Sequence, residues 1–229
     1  MARSIIVTGG FGVLGQAVAT AFAARGDKVA RVDFAAAAAE SLAGTLDIGG
    51  VNLTDADATQ AALDKVAQAH GGIDVLVNVA GGFTWETLEG GSLDSWAKMQ
   101  AMNLMTNATI TKLALPALKA AGAAGGGQIV NIGAGAAIKA GMGMGAYTAS
   151  KAGVHRLTEA LAEELAGSGV TVNAILPSII DTPTNRQDMP DADFSQWVTA
   201  EAIADVILFL ASPAARGVTG ALIPVTRGG

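Results

Sequence analysis

Short apolar runs alternate with longer stretches of helical periodicity along the whole 229-residue chain. Ile5-Ile6-Val7 predicts a first strand, which breaks into Gly9-Gly10-Phe11-Gly12-Val13-Leu14-Gly15 and an Ala-rich helix reaching Arg25. Val29 to Val32 predicts a second strand ending at Asp33, and the Ala content of Ala35 to Ala43 predicts a short helix after it. A third strand is expected over Leu46 to Leu53, then a helix over Ala56 to His70 that Thr54 or Asp55 can cap. Asp74 to Asn78 reads as a fourth strand, and Asp94 to Ala121 as one long helix with Asn103 in its middle and a kink at Pro116. Gln128 to Ile132 is a fifth strand. In the helix expected over Tyr147 to Leu165, Val154, Leu157, Leu161 and Leu165 fall on one face and must point inward. A sixth strand, Val170 to Leu176, ends at Pro177. Asp181 to Trp197 has no strong period and reads as a long surface loop, placed where lids commonly sit. A helix over Ala200 to Leu210 and a strand over Ala221 to Val225 complete the pattern; Pro224 cannot donate to a ladder, which puts that strand at a sheet edge.

Strands that alternate with helices throughout predict an α/β, Rossmann-type fold: one domain over 1–229, with a doubly wound parallel sheet of about seven strands and helices on both faces. Ligands of such sheets lie at the carboxyl ends of the strands. The glycine run, Asp33, Asn52, Ala80 to Gly82, Ala134 and Pro177 all fall at those ends.

Composition narrows the partners. A net charge of -6 offers no basic footprint for nucleic acid or an anionic membrane. Cysteine is absent, which excludes a disulfide framework and a thiol nucleophile and makes a reducing, cytoplasmic location the expectation. The apolar run after Met1-Ala2-Arg3-Ser4 is too short for a signal peptide or a membrane span. The two histidines, His70 and His155, are far apart in sequence, so no metal centre is expected and both are placed on helix surfaces.

Three groups of residues carry chemistry. Gly10, Gly12 and Gly15 form G-x-G-x-x-G between a strand and a helix, where glycines admit a pyrophosphate to the helix N-terminus. Asp33 stands where a carboxylate accepts from a ribose 2'-hydroxyl and repels a 2'-phosphate, favouring NAD over NADP; Arg31, two residues earlier, could soften that preference. Asn52 carries a donor and an acceptor suited to an adenine edge. Tyr147 and Lys151 lie one helical turn apart, so an ammonium can favour the phenolate and bring the phenol toward general acid-base work.

In combination, Thr8-Gly9 to Gly15, Asp33, Asn78-Val79-Ala80-Gly81, Asn103, Tyr147-x-x-x-Lys151 and Pro177 with Thr182 resemble the short-chain dehydrogenases/reductases over essentially the full length. The resemblance implies that Tyr147 gives or takes the proton, that Lys151 lowers its pKa and holds the nicotinamide ribose, and that Asn103 supports a proton-relay water. It implies NAD contacts from Gly9, Gly10, Phe11, Gly12, Val13, Leu14, Gly15, Asp33, Asn52, Leu53, Val79, Ala80, Gly81, Gly82, Tyr147, Lys151, Pro177, Ile179 and Thr182. It further implies a homodimer or homotetramer assembled through helices 94–121 and 147–165.

Two departures matter. Val13 replaces the family's commonest glycine, and Ala134 stands where the family carries a substrate-positioning Ser. Losing one such donor typically lowers rate by ~10²- to 10³-fold. The dihydropteridine reductase-like branch also lacks that Ser, and Asp181-Thr182-Pro183 to Trp197 resembles its lid over about 181–200. The leading expectation is therefore hydride transfer from NADH to an activated planar acceptor such as a quinonoid dihydropterin. Ala134, Trp85, Met144 and Trp197 are candidate substrate contacts, although lid packing explains the tryptophans equally well. A small carbonyl or alcohol substrate is the second reading, and a catalytically silent NAD-binding sensor or interaction protein the third.

Overall fold

A computed structural model describes residues 2–227. It contains β1 Ser4–Thr8, β2 Lys28–Val32, β3 Thr45–Ile48, β4 Val75–Asn78, β5 Gln128–Ile132, β6 Thr171–Pro177 and β7 Leu222–Val225. They form one sheet in the order β3-β2-β1-β4-β5-β6-β7, with every neighbouring pair parallel. Strand alternation divides the core. Ile5, Val7, Val77 and Ile175 face α1 (Val13–Ala24) and α7 (Ala200–Leu210), where Val18, Phe22, Ile203 and Ile207 meet them. Ile6, Leu76 and Ile129 face the other way, onto Leu63 of α2 (Ala56–His70), Ile110 and Leu118 of α4 (Thr106–Ala123) and Leu161 of α5 (Gly145–Glu164). Each such side chain contributes about 1.5–3 kcal/mol when fully buried, which explains why the strands are apolar on both faces.

β7 is an edge strand, as Pro224 requires. Asp55 caps α2, accepting from the amides of Asp57 and Ala58. Four expectations are corrected. No helix forms over 35–43: an isolated run this short cannot repay helix nucleation, and most of it is exposed with no apolar face to dock. Instead the Ala35 carbonyl accepts from Gly50, and Gly49 is bare where a Cβ would lie 2.2 Å from the Ala36 oxygen. β3 stops at Ile48, because Gly50 turns the chain at φ +73.

The long helix expected over 94–121 is three pieces: α3 (Leu93–Met99), a π-helical turn over Gln100–Met105, and α4. Pro116 lies inside α4, and the helix continues through it. The stretch 181–197 is not a structureless loop. It holds α6 (Pro183–Asp188), a 3-10 turn over Phe194–Gln196 and a bridge from Ile180 to Val198. Thr182 caps α6, accepting from Asn185, with Pro183 in the first turn; that Thr-Pro pair was the available signal. Among the described residues no helix is long and apolar enough to cross a membrane.

Candidate active site

The strand order reverses between β1 and β4, and the turns leaving these two strands meet. A Cβ on Gly9, whose φ is +60, would lie 2.9 Å from Ala80 Cα. Below that contact the Ala80 amide donates to Thr8 Oγ1 at 3.0 Å. The glycine run folds back tightly: the Gly12 amide donates to the Gly9 carbonyl at 3.2 Å, and a Cβ on Gly15 would lie 2.1 Å from that same oxygen. Gly12 begins α1 without any side-chain cap, so the amides of the first turn are open to an anion. Gly12 and Val13 are exposed at this mouth, whereas Leu14 and Gly15 are buried beneath it.

Asp33 ties the glycine turn to the end of β2. One carboxylate oxygen accepts from the Phe11 amide at 2.9 Å and the other from the Ala35 amide at 2.9 Å. Arg31 is fully buried, with its guanidinium bonded to Asp47 at 2.7 and 2.6 Å and lying 5.3 Å from the centre of the Phe11 ring. Asn52 is exposed, but its side-chain oxygen accepts from the amide and hydroxyl of Thr54. Leu53 is in the core, which leaves only its main chain for any ligand.

Tyr147, Lys151 and Asn103 come together on the facing side of the crevice. Lys151 is 5% exposed and donates from Nζ to the Ile132 carbonyl at 2.8 Å, at the end of β5. A Cβ on Gly81 would lie 2.5 Å from Asn103 Oδ1 and 3.3 Å from Lys151 Nζ, so this glycine is what lets both side chains approach the turn after β4. Asn103 grips that turn twice: Oδ1 accepts from the Gly82 amide at 2.8 Å, and Nδ2 donates to the Gly82 carbonyl at 3.1 Å. Nδ2 also donates to Ser150 Oγ at 3.0 Å, and Ser150 in turn donates to the Tyr147 carbonyl. An Asn inside a regular helix is disfavoured. Here it occupies the π-helical turn, a local widening that periodicity alone does not reveal.

The electrostatics differ from the expected lowering of the phenol by its neighbour. Burial pushes Tyr147 up to about 12 and Lys151 down to about 8. Both shifts have one cause: each charged form loses hydration in the enclosed crevice. Tyr147 therefore keeps its proton near pH 7, and Lys151 is a cation close to its titration range.

The loops around Tyr147 are held by tryptophans. Trp85 donates from Nε1 to the Met142 carbonyl at 3.0 Å, and its ring lies on Gly143, where a Cβ would come within 2.2 Å. Trp96 likewise covers Gly145, at 3.2 Å from the position of a Cβ. Met144 is half-buried beside them, and Ile179 is exposed just beyond Pro177 at the end of β6. Phe83, which the sequence did not single out, is 55% exposed and meets the Tyr147 ring edge-on at 4.9 Å. Trp197, by contrast, is buried against Phe194 at 4.7 Å. Ala134 is buried and brings no hydroxyl to the crevice.

His155 is not on a helix surface. It is 3% exposed, and its Nε2 accepts from the Ala134 amide at 3.3 Å. Four residues beyond Lys151 it shares that residue's inward face, which was the legible signal. His70 is half-buried and sits 3.1 Å from the Ser4 hydroxyl.

A family model described as short chain dehydrogenase matches residues 3–193. The chain belongs to the short-chain dehydrogenases. Its sequence is 33% identical to 2-(R)-hydroxypropyl-CoM dehydrogenase of Xanthobacter autotrophicus, over 97% of this chain and 96% of that one. It is 37% identical to D-threitol dehydrogenase of Mycolicibacterium smegmatis, over 97% of this chain and 91% of the other. The 3-ketoacyl-(acyl-carrier-protein) reductase of Brucella melitensis, solved in complex with NADH, superposes with a TM-score of 0.87 at 26% identity, covering 97% of this chain and 96% of that one.

This short-chain dehydrogenase also carries a buried polar layer under the rim. Asn78 Nδ2 donates to Asn107 Oδ1, Thr111 Oγ1 and Asn131 Oδ1 at 3.0 to 3.3 Å, and Asn131 Nδ2 donates to Thr158 Oγ1 at 2.9 Å. The layer joins β4, β5, α4 and α5, the elements that surround Asn103, Tyr147 and Lys151. Asn78 and Asn131, polar residues in otherwise apolar strands, were its trace in the sequence, since a buried amide needs partners.

Proposed function

We propose that the protein is an NAD(H)-dependent oxidoreductase that interconverts a small alcohol and its ketone. The carrying observation is the meeting of Tyr147, Lys151 and Asn103 at the carboxyl rim, opposite an uncapped glycine turn. The names of its relatives, dehydrogenases of 2-(R)-hydroxypropyl-CoM and of D-threitol, support the same substrate class. The glycine turn fits a dinucleotide: the bare approach to Gly12, the open amides of α1 and the Asp33 carboxylate suit a pyrophosphate and an adjoining ribose. When bound, the nicotinamide ring supplies or accepts the hydride. Tyr147 protonates the substrate oxygen in reduction and takes the proton back in oxidation. Lys151 supplies the positive charge that keeps proton loss from Tyr147 within reach, and Asn103 fixes the Gly81-Gly82 turn against α5. Phe83, Trp85 and Met142 offer an apolar surface to the substrate body, and 181–200 forms its lid.

NADH is the proposed partner rather than NADPH, because Asp47 already pairs Arg31 and the Asp33 carboxylate stands ready to repel a 2'-phosphate. Asp33→Ala is expected to narrow the ratio of kcat/KM for NADH over NADPH by ~10-fold or more, the scale of removing one charged hydrogen-bonding group. A ratio unchanged by the substitution would remove Asp33 from cofactor selection. Assembly as a homodimer or homotetramer through helices 94–121 and 147–165 belongs to the same proposal, and light scattering of the purified chain reads it.

A second reading, reduction of a quinonoid dihydropterin, rests on Ala134. An acceptor that is already electrophilic needs less polarisation than a ketone, and no hydroxyl is present there to provide it. Initial rates with NAD and meso-2,3-butanediol, threitol and 3-hydroxybutyrate, beside NADH with freshly generated quinonoid dihydropterin, separate the two. Turnover of an alcohol is the expected result. Turnover of the pterin alone would replace this reading with the second, and NADH binding without any turnover would defeat both.

A further inference from the structure

The end of β5 is fastened to α5 by two nitrogen side chains one helical turn apart. Lys151 Nζ donates to the Ile132 carbonyl at 2.8 Å, and the Ala134 amide donates to His155 Nε2 at 3.3 Å. Between them, Gly133 donates its amide to the Ile175 carbonyl, and a Cβ on Gly133 would lie 2.6 Å from His155 Nε2. Glycine at 133 and histidine at 155 are therefore a matched pair: the imidazole occupies the volume that any side chain at 133 would need. The Ala134 amide is buried, and it needs the imidazole as its acceptor, because a buried donor left unpaired is destabilising. That role fixes the protonation of His155. Nε2 must be bare and the proton on Nδ1, because an imidazolium would turn a second donor toward the amide. The surroundings agree: burial, then Arg156 and Lys151, lower the pKa of His155, and Glu159 opposes them.

We propose that His155 is a positioning residue, which acts by holding the Ala134 amide so that the end of β5 presents the Ile132 carbonyl to Lys151, and thereby sets the ammonium against Tyr147. The lever is short. If the Ala134 amide is released, Gly133 is free to swing, and the carbonyl that anchors Lys151 is one residue away. The chain thus uses an imidazole under the strand, acting on the main chain, at the one place where it brings no hydroxyl above it.

Its catalytic part rests on the alcohol-ketone reading, so two of its three measurements need no substrate. His155→Phe removes the acceptor, while His155→Gln keeps one near the place of Nε2. Hydrogen exchange of the Ala134 amide, followed by NMR, is expected to speed up ~10-fold or more in His155→Phe and to return toward wild type in His155→Gln. Lys151, the group that the Ile132 carbonyl holds, titrates at about 8, and the side-chain signal of labelled lysine that disappears in Lys151→Met gives its titration curve. That curve is expected to move in His155→Phe and to be restored by Gln. With the alcohol that the panel selects, kcat is expected to fall ~10-fold in His155→Phe with the KM for NAD little changed, as for a reacting group displaced by a fraction of an ångström. Unchanged exchange in His155→Phe overturns the hydrogen bond. Faster exchange with the Lys151 curve and kcat both as in wild type overturns the positioning role and leaves packing alone. If no alcohol is turned over, the proposed function fails while exchange and the Lys151 curve still judge His155. Should His155→Phe not fold, His155→Asn, which is too short to reach the amide, takes its place against Gln.

Discussion

Tyr147→Phe is expected to lower kcat for hydride transfer by ~10²- to 10⁴-fold, the usual contribution of a positioned proton donor, while NADH affinity stays within about a factor of three. The asymmetry follows from the geometry. In the proposed function Tyr147 carries the proton and the glycine turn, on the other side of the sheet's switch point, holds the dinucleotide, so the substitution touches one and not the other. Equal loss of binding and turnover would instead make Tyr147 a structural residue. The pH dependence should follow Lys151. In the free enzyme its pKa is about 8, so kcat/KM for reduction is expected to decline above that pH as the ammonium is lost.

Stability should move the opposite way. Lys151 binds its proton less tightly when folded, at about 8, than at its ordinary 10.5, so the unfolded chain holds more protons between those values and folding strengthens as pH rises through them. The difference corresponds to about 3 kcal/mol, an upper figure for so enclosed a group. Tyr147, raised from 10 to about 12, reverses the trend above pH 10. Denaturant midpoints are expected to climb from pH 8 to 10 in the wild type and to lose that climb in Lys151→Met. A parallel climb in the variant would refute the burial account of Lys151.

Gly15→Ala and Gly12→Ala should separate folding from cofactor binding. At Gly15 the new methyl would meet the Gly9 carbonyl at 2.1 Å, a main-chain clash that the turn cannot absorb without opening. Overpacking of this kind typically costs about 1–3 kcal/mol, so lowered stability and failed NADH binding should appear together. At Gly12 the methyl would find only the Gly9 oxygen, at 3.6 Å, an ordinary contact, and φ is -77, open to any residue. Stability should therefore change by less than about 1 kcal/mol. NADH affinity should nevertheless fall ~10-fold or more, because the methyl stands where a pyrophosphate must approach. NADH binding unaffected by Gly12→Ala would mean that the phosphates do not cross this turn.

Much of this architecture was legible because central parallel strands buried on both faces leave apolar runs such as Ile5-Ile6-Val7 and Val75-Leu76-Val77, whereas the half-exposed edge strand β3, with Thr45 and Asp47, was located without its correct end. Helix ends with local chemistry were equally readable, Asp55 before α2 being the clearest. Failures arose where the answer lay between elements. The Ala-rich stretch after Asp33 has propensity but nothing to pack against. The π-helical turn around Asn103 adds width to a helix without altering its composition. Proximity along one helix face suggested that Lys151 would lower the Tyr147 pKa, but sequence spacing says nothing about hydration, and burial dominates both groups. His155 was misplaced because its partner is a backbone amide on another element, which no side-chain pattern records.

The two tryptophans that press on Gly143 and Gly145 have an optical consequence. Indole emission responds to polarity and contact, and two of the chain's three indoles rest on the segment leading into Tyr147. Any ligand that shifts this segment should announce itself as a change in intrinsic fluorescence, so unlabelled protein can be screened against compounds before a single turnover is measured.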